Sequence, residues 1–509
     1  MAKGHNMTFT PPVSSLSRRA LMMATAAATG LTLTGCQLPK TKTTASTKGW
    51  DDTLADLHKR TFQWFWDVTP PKTGLTPDNW PNPDFCSVAA VGFALNACCI
   101  GAHSGYVTRA QAAERTLTTL RTFWNGPQGP ERAGVMGYKG FFYHFLNMGT
   151  GLRHDTVELS SIDTALFITG ALTAAAFFDG DNDAEKEIRK LGVALYERVD
   201  WTFLERDNGL ISMGYHPEPG LNGHDATGRI IRSWDRYNEG MMVYHLAMAS
   251  KTHPIKATAW DTWAATIGVT WADNFGEPHL GFAPLFGHQY SHVWYDYRGI
   301  ADAYMRGKNI DYFINSQRAT VAQRNYAIKN PGGFKDYSGD VWGLTACRGP
   351  AYTKGKVDGR EVQFFEYSAR GPQTGDKEAN DDGTIAPTAG ISSVAFSPEI
   401  CLPLIHTLRE KYGSDLYGEY GFYDAFNPSF PKDLPSRVGH QTPKAGWVAY
   451  EYLAIDQGPI LSMLENHRSG LIWDLFNRSP VTGPMVRRGF QLAGFQSTGP
   501  AGDWLKAKP

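Results

Sequence analysis

Asp235 and Glu239 stand four residues apart in WDRYNEGMMVYHLAMAS, just before an almost wholly apolar run. On a helix, residues i and i+4 share a face with Cβ atoms roughly 5–6 Å apart, and like charges there repel. Nearby negative charge and burial raise a carboxyl's pKa and keep it protonated. A protonated carboxyl beside an ionised one suits glycoside hydrolysis, where one acid donates to the leaving oxygen and the other activates water or attacks carbon. On this reading an ionised Asp235 keeps Glu239 protonated, and Tyr237 and Asn238 orient sugar hydroxyls.

The same placement recurs. Glu158 and Asp163 lie in VELSSIDTALFI, Asp424 in YGFYDAFNPSF and Asp456 in AIDQGPILSM, each before or inside an apolar run. One acid at a helix N-terminus is often only a cap or a dipole partner. Recurrence argues for convergence on one cavity. Aromatic and polar stretches could wall it: HQYSHVWYDYRG with His288, His292 and Trp294, YKGFFYHF with Tyr143, and DVWGLTA with Trp342. His288 and His292 have a zinc-compatible i,i+4 spacing, but no HExxH accompanies them, and no metal or cofactor is expected. A GxSxG nucleophile turn, a Walker A loop and a strand leading to GxGxxG are all missing from the text.

The elements that would position these acids alternate in character. Residues 87–105 and 160–178 are apolar nearly all round, whereas 108–124 and 183–199 are amphipathic, the former opening with a Thr108–Gln111 capping-box pattern. An all-apolar helix must be covered on every side, and an amphipathic neighbour can cover it while facing water. Repeated around a circle, this predicts an all-α, α/α toroid of inner and outer helices; a bent helical solenoid is the alternative. Residues 200–235 and 330–400 read as long functional loops. No linker separates two folded bodies.

Composition narrows the classes further. The 509 residues are 42% hydrophobic and 19% charged, with a formal charge of −1 and no long basic run, so nucleic acid is not an expected partner. The 15 Trp suit either sugar stacking or a large core. Ser17-Arg18-Arg19 precedes a short apolar segment ending in Leu33-Thr34-Gly35-Cys36. This reads as a twin-arginine export signal over 1–36 with lipidation at Cys36, followed by a polar tether over 37–50. The twin-arginine machinery is then an export partner, the lipid is the sole membrane contact, and the body faces the periplasm or sits on the outer membrane. Cys86, Cys98, Cys99, Cys347 and Cys401 lack CxxC spacing and are expected as free, buried thiols.

Longer motifs carry a resemblance. GFFYHFLNMGTG, ELSSIDTALFITGALTAAAFFDGD, WDRYNEGMMVYHLAMASKTHPI, PLFGHQYSHVWYDYRGIADAYM, DDGTIAPTA, YGFYDAFNPSF and IDQGPILSMLENHRSGLIW resemble the bacterial glucoamylase-like domain, which includes the endo-β-1,2-glucanases of glycoside hydrolase family 144. The resemblance runs over 51–495, leaving 496–509 as a tail. It implies an (α/α)6 barrel in a single domain, acting without a cofactor, as a monomer, on β-1,2-glucan or sophorooligosaccharides. It implies inversion, with carboxyls about 6.5–9.5 Å apart to admit a water. By resemblance Glu239 is the general acid, Asp424 the base and Asp163 the next candidate base, while Asp456 holds the rim of the substrate site. Where many relatives read DPDYLGIDQGP, this chain reads AYEYLAIDQGP, with Ala449 in place of an acid. The segment 373–381 beside DDGTIAPTA would narrow the cleft and favour an exo or short-oligosaccharide mode. Rival readings are a non-catalytic sugar-binding lipoprotein and an exo-acting α-glucosidase.

Overall fold

Helices with no wet face alternate along the chain with helices that have one. The computed structural model describes residues 50–375 and 377–507; the expected export signal over 1–36 and the expected lipidation at Cys36 lie outside the described residues. In chain order the helices are α1 (Asp52–Val68), α2 (Val88–His103), α3 (Arg109–Asn125), α4 (Ser161–Phe177), α5 (Asp183–Arg198), α6 (Met241–Ala249), α7 (Ala259–Ile267), α8 (Phe286–Trp294), the short α9 (Ala303–Gly307), α10 (Tyr312–Lys329), α11 (Pro387–Ile391), α12 (Pro398–Tyr412), α13 (Ala454–Arg468), α14 (Leu471–Arg478) and α15 (Gly483–Leu492). Every residue of α6 is buried, as is every residue of α4 from Asp163 to Ala176. By contrast α5 buries a stripe of Ile188, Leu191, Leu195 and Tyr196 and leaves its other face to water.

The result is an (α/α)6 barrel. Helices α2, α4, α6, α8, α11 and α13 form the inner ring, and α1, α3, α5, α7, α10 and α12 form the outer ring. Helix α14 packs against α4, α8 and α13, and α15 against α6, so this pair closes one end. Trp473 Nε1 donates to the His292 carbonyl at 2.7 Å, and Asn477 Nδ2 to that of Trp294 at 2.7 Å. That end holds the C-termini of the inner helices. Their N-termini, which carry the acids, face the other way.

Short strands feed the N-terminal end. Phe85–Ser87 leads into α2, Leu159–Ser160 into α4 and Tyr452–Leu453 into α13. Ser87 caps α2 through the amide of Ala90, and Ser160 caps α4 through that of Asp163. The Thr108–Gln111 capping box opens α3 as its spacing predicts. Strand Leu159–Ser160 lies between Phe141–Tyr143 and Gly214–Tyr215 in an antiparallel sheet, and Tyr452–Leu453 pairs with Asn79–Trp80. These pairings bring distant loops to one rim.

Helices α2 and α4 cross with their backbones touching. A Cβ on Gly170 would lie 2.2 Å from the Gly92 carbonyl oxygen, and one on Gly92 would lie 2.1 Å from that of Leu166. Gly→Ala normally helps a helix by about 1 kcal/mol. Here the added methyl meets rigid backbone, and overpacking costs about 1–3 kcal/mol or more. Gly170→Ala is therefore expected to destabilise the protein in denaturant titration; an unchanged or raised midpoint would show that the two helices part freely.

Seven of the tryptophans, Trp64, Trp201, Trp260, Trp263, Trp294, Trp342 and Trp447, are among the largest fully buried side chains, so much of the aromatic excess is core. Cys86, Cys98, Cys99, Cys347 and Cys401 are free thiols, all buried except the half-buried Cys98. No described helix is long and apolar enough to cross a membrane.

Candidate active site

Glu239 sits two residues before α6 and lines an open cleft of about 700 Å³ with Trp234, Asp235, Arg236, Phe282, Thr374 and Lys377 among others. The segment 235–239 is a turn rather than a helix. Arg236 has a left-handed φ of 60°, which breaks any helical phase between the two acids. Asn238 closes the turn by donating to the Asp235 carbonyl at 2.8 Å and accepting from the Gly240 amide at 2.9 Å. The expectation that Asp235 and Glu239 share a helix face is thus corrected. Asp235 is partly exposed and pairs with Arg236 at 3.4 Å. It is not what holds the proton on Glu239. Burial does that, and Asp163 adds to it, pushing the carboxyl up to about 7. Glu239 Oε2 is buried with no hydrogen-bond partner, a costly arrangement for an ionised group.

Asp163 lies in the first turn of α4. Its carboxylate accepts the Ser160 hydroxyl, and Oδ1 is 3.5 Å from His144 Nε2. The other imidazole nitrogen of His144, Nδ1, lies 2.8 Å from Glu158 Oε1. Burial lowers the His144 pKa, but Asp163, Glu158 and Asp78 outweigh it and hold the ring cationic, at about 9. Burial raises Asp163 more than its partners lower it. His144 therefore stands as a fixed cation between two acids.

A second group of acids stands nearby. Asp424 is buried, accepts the Arg348 amide on Oδ2 at 2.7 Å, and lies beside the Asp456 carboxyl, with Asp424 Oδ1 and Asp456 Oδ2 both buried and without a fixed donor. Two carboxyls can bond only when one carries a proton. Burial and Asp424 push Asp456 far above the carboxylate range. Asp424 is raised by burial too, but the Arg348 amide and the charges of Arg348 and Arg370 oppose the rise. The proton belongs on Asp456 and the charge on Asp424. Arg348 also pairs with Glu451 at 2.8 Å, and the Glu451 carbonyl accepts the Asp424 amide at 2.8 Å. Asp78, pushed up to about 6 by burial, feels His144, Arg348, Asp163 and Asp424. Tyr290, on inner helix α8, donates to the Ile455 carbonyl at 3.0 Å, and its phenol feels Asp456, Glu239 and Asp163.

The inner-helix N-termini and their loops therefore gather Glu239, Asp163, Asp424 and Asp456 at one end of the barrel. Asp78, His144, Arg348, Glu451 and Tyr290 join them, none of them among the residues expected from the sequence. His144 had a signal: it is the neighbour of Tyr143, and adjacent residues on an extended strand point to opposite faces. Tyr143 faces the other way and packs under the Arg153 guanidinium at 4.5 Å.

Several expected wall residues are core instead. His288 is buried beside Tyr237 and His279, with neither ring nitrogen bonded, and burial drives its pKa far down. His292 approaches Ser316 Oγ at 3.1 Å and is lowered to about 3 by burial. Trp294 stacks on Phe93 at 5.1 Å and donates to Asn96. Trp342 is fully buried. The Tyr237 ring is also buried, parallel to Tyr312 at 6.1 Å, with its hydroxyl 3.3 Å from Ser316 Oγ. Inner helices are buried on every side, so aromatic residues on them default to packing. Asn238 spends its amide on its own turn. Among the described residues no group of three or more His, Cys, Asp or Glu is placed to hold a metal ion. Of the segment 373–381, Thr374, Gly375 and Lys377 do line the Glu239 cleft, and the Gly375 amide donates to Asn274 at 2.7 Å.

Comparison with known proteins agrees with this geometry. The family model Glycoamylase, described as "Putative glucoamylase", matches residues 232–480. An exo beta-1,2-glucooligosaccharide sophorohydrolase (non-reducing end) of Parabacteroides distasonis is 27% identical over 475 residues, which is 87% of this chain; the chain spans 58% of that relative's length. The endo-beta-1,2-glucanase of Chitinophaga pinensis, solved with sophorotriose and glucose, is 26% identical and superimposes with a TM-score of 0.70 over 87% of this chain and 98% of that one. A "putative glucoamylase" structure from Bacteroides uniformis is 30% identical, with a TM-score of 0.71 over 88% of this chain and 98% of its own. With that identity over nearly the whole of the relative, the same (α/α)6 barrel and an acid-lined N-terminal end, this chain belongs to the glucoamylase-like family that includes the β-1,2-glucanases.

Proposed function

We propose that this protein hydrolyses β-1,2-linked glucan or its oligosaccharides by an inverting acid–base mechanism. The observation that carries the reading is the Glu239 carboxyl. It is half-buried, unpartnered at its buried Oε2, raised to about 7 by its surroundings, and lines a cleft large enough for sugar. Such a group gives a proton to a leaving oxygen at neutral pH. Asp424, ionised beside a protonated Asp456, accepts a proton from water, and a sugar hydroxyl can relay it. Tyr290, between the two groups of acids, keeps the path polar. The linkage follows from the relatives, a sophorohydrolase and an endo-β-1,2-glucanase.

Digestion of linear β-1,2-glucan, sophorooligosaccharides, β-1,3-glucan and maltooligosaccharides tests this, with product anomers followed by NMR. The expected result is reducing-sugar release from the β-1,2 substrates alone, with the product first appearing as the α-anomer. Release from maltooligosaccharides alone would select an α-glucosidase, and binding without release would select a carrier.

A further inference from the structure

Beside the Asp424–Asp456 pair the chain presents two exposed tyrosines that neither the core nor the mechanism uses. Strands Thr353–Val357 and Arg360–Phe364 form a hairpin in which Thr353 faces Phe364. Tyr352 and Phe365 come next across the pair, with ring centroids 6.2 Å apart. Strand Ala346–Cys347 pairs with Ser368–Ala369, setting Cys347 against Ser368. That register brings Tyr367 alongside Arg348, the residue whose amide holds Asp424. Tyr352 is 74% exposed and Tyr367 49%. Tyr367 is thus half-exposed, and its phenol lies in the field of Asp456, Asp424 and Asp78.

The ledge is braced from beneath. Arg370 is fully buried and grips Asp382 with two hydrogen bonds of 2.8 Å. It also donates to the carbonyls of Cys347, Phe365 and Glu366, and Asp382 accepts the Phe365 amide. One buried ion pair thus holds strand Ala346–Cys347 and the residues 365–366 that precede Tyr367 and lie opposite Tyr352. A rigid aromatic face beside fixed polar groups is what a sugar ring needs for stacking and orientation.

We propose that Tyr367 and Tyr352 bind the glucosyl units beyond the reacting bond, Tyr367 touching the nearer unit and Tyr352 the farther. The proposal rests on the glucan reading above. Tyr367 offers its ring to sugar C–H groups and its hydroxyl to a sugar hydroxyl near Asp424. Tyr352, farther along the hairpin, reads chain length.

The test is kcat/KM on β-1,2-linked glucooligosaccharides of increasing length. Tyr352→Ala is expected to lower the ratio of the longest to the shortest substrate by about tenfold, and Tyr352→Trp to keep it. Tyr367→Ala is expected to lose about tenfold at every length, with Tyr367→Phe between it and the wild type. Both alanine variants staying within about twofold of the wild type at all lengths would overturn the proposal, as would a length-independent loss in Tyr352→Ala. A wild type inactive on every β-1,2 substrate refutes the functional reading instead. Calorimetric binding of the glucan panel to Glu239→Gln, with and without Tyr352→Ala, then judges the ledge separately: equal affinities would overturn it, and weaker binding of long chains would uphold it.

Discussion

Glu239→Gln is expected to lower kcat on the cleaved glucan by about 10²–10⁴-fold, the range a positioned general acid supplies, while substrate still binds. The amide keeps the shape of the carboxyl and removes only the proton it would donate. The same variant is expected to be more stable than the wild type at alkaline pH. Burial, with the nearby charge of Asp163, raises Glu239 in the folded protein from about 4.5 to about 7. Folding therefore favours its protonated form. That contribution is complete below about pH 4.5 and is lost as pH rises through about 7. Glutamine never ionises, so the thermal midpoint of the variant should overtake that of the wild type across pH 4.5–7 and stay ahead above it. The wild-type rate should also fall above about pH 7, as the donor is lost. A variant that keeps more than about a tenth of the activity, or that is less stable at pH 8, would remove Glu239 from the role of acid.

The scaffold was legible because hydrophobic period separates the two rings. All-round apolar runs such as 161–177 can only be inner helices, and striped runs such as 183–198 can only cover them. The acids at the start of inner helices were legible for the same reason, since a barrel aligns those starts. The turn at 235–239 was not, because a left-handed Arg236 is set by its surroundings, including the bond from its amide to Thr266. The wall was misread through one feature of the fold. His288, His292 and Trp294 sit on α8, and an inner helix has no face free of packing. Real site groups such as Asp78, Arg348 and Glu451 lie in loops whose pairings span most of the chain, Asn79 with Leu453 among them. No local pattern announces such a contact. Glu451, within the AYEYLAIDQGP departure, nonetheless contributes a carboxylate to Arg348, so the Ala449 difference leaves the rim charged.

Asp424→Asn and Asp456→Asn should separate two carboxyls that look equivalent in sequence. The pair shares one proton, and the environment is lopsided. Asp424 has the Arg348 amide and the fields of two arginines, whereas Asp456 has Asp424 and Asp78 against it. Ionisation therefore falls on Asp424, and Asp456 acts as its donor. Asparagine at 424 cannot accept a proton from water, so a loss of about 10²–10⁴-fold in kcat is expected, with substrate affinity retained. Asparagine at 456 still donates to Asp424 through its amide and should cost about tenfold or less, whereas Asp456→Leu removes the donor and should cost more. The pH profile gives an independent reading. With Asp456→Asn the second titrating partner is gone, so the acid limb should report Asp424 alone and simplify from a coupled to a single titration. Asp163→Asn is the control. Asp163 accepts the Ser160 hydroxyl in the first turn of α4 and faces His144 rather than a proton-sharing carboxyl, so its loss should be smaller than that of Asp424→Asn. Should Asp163→Asn abolish turnover while Asp424→Asn retains it, the water is activated on the His144 side of the hollow, and Asp424 with Asp456 is a structural pair.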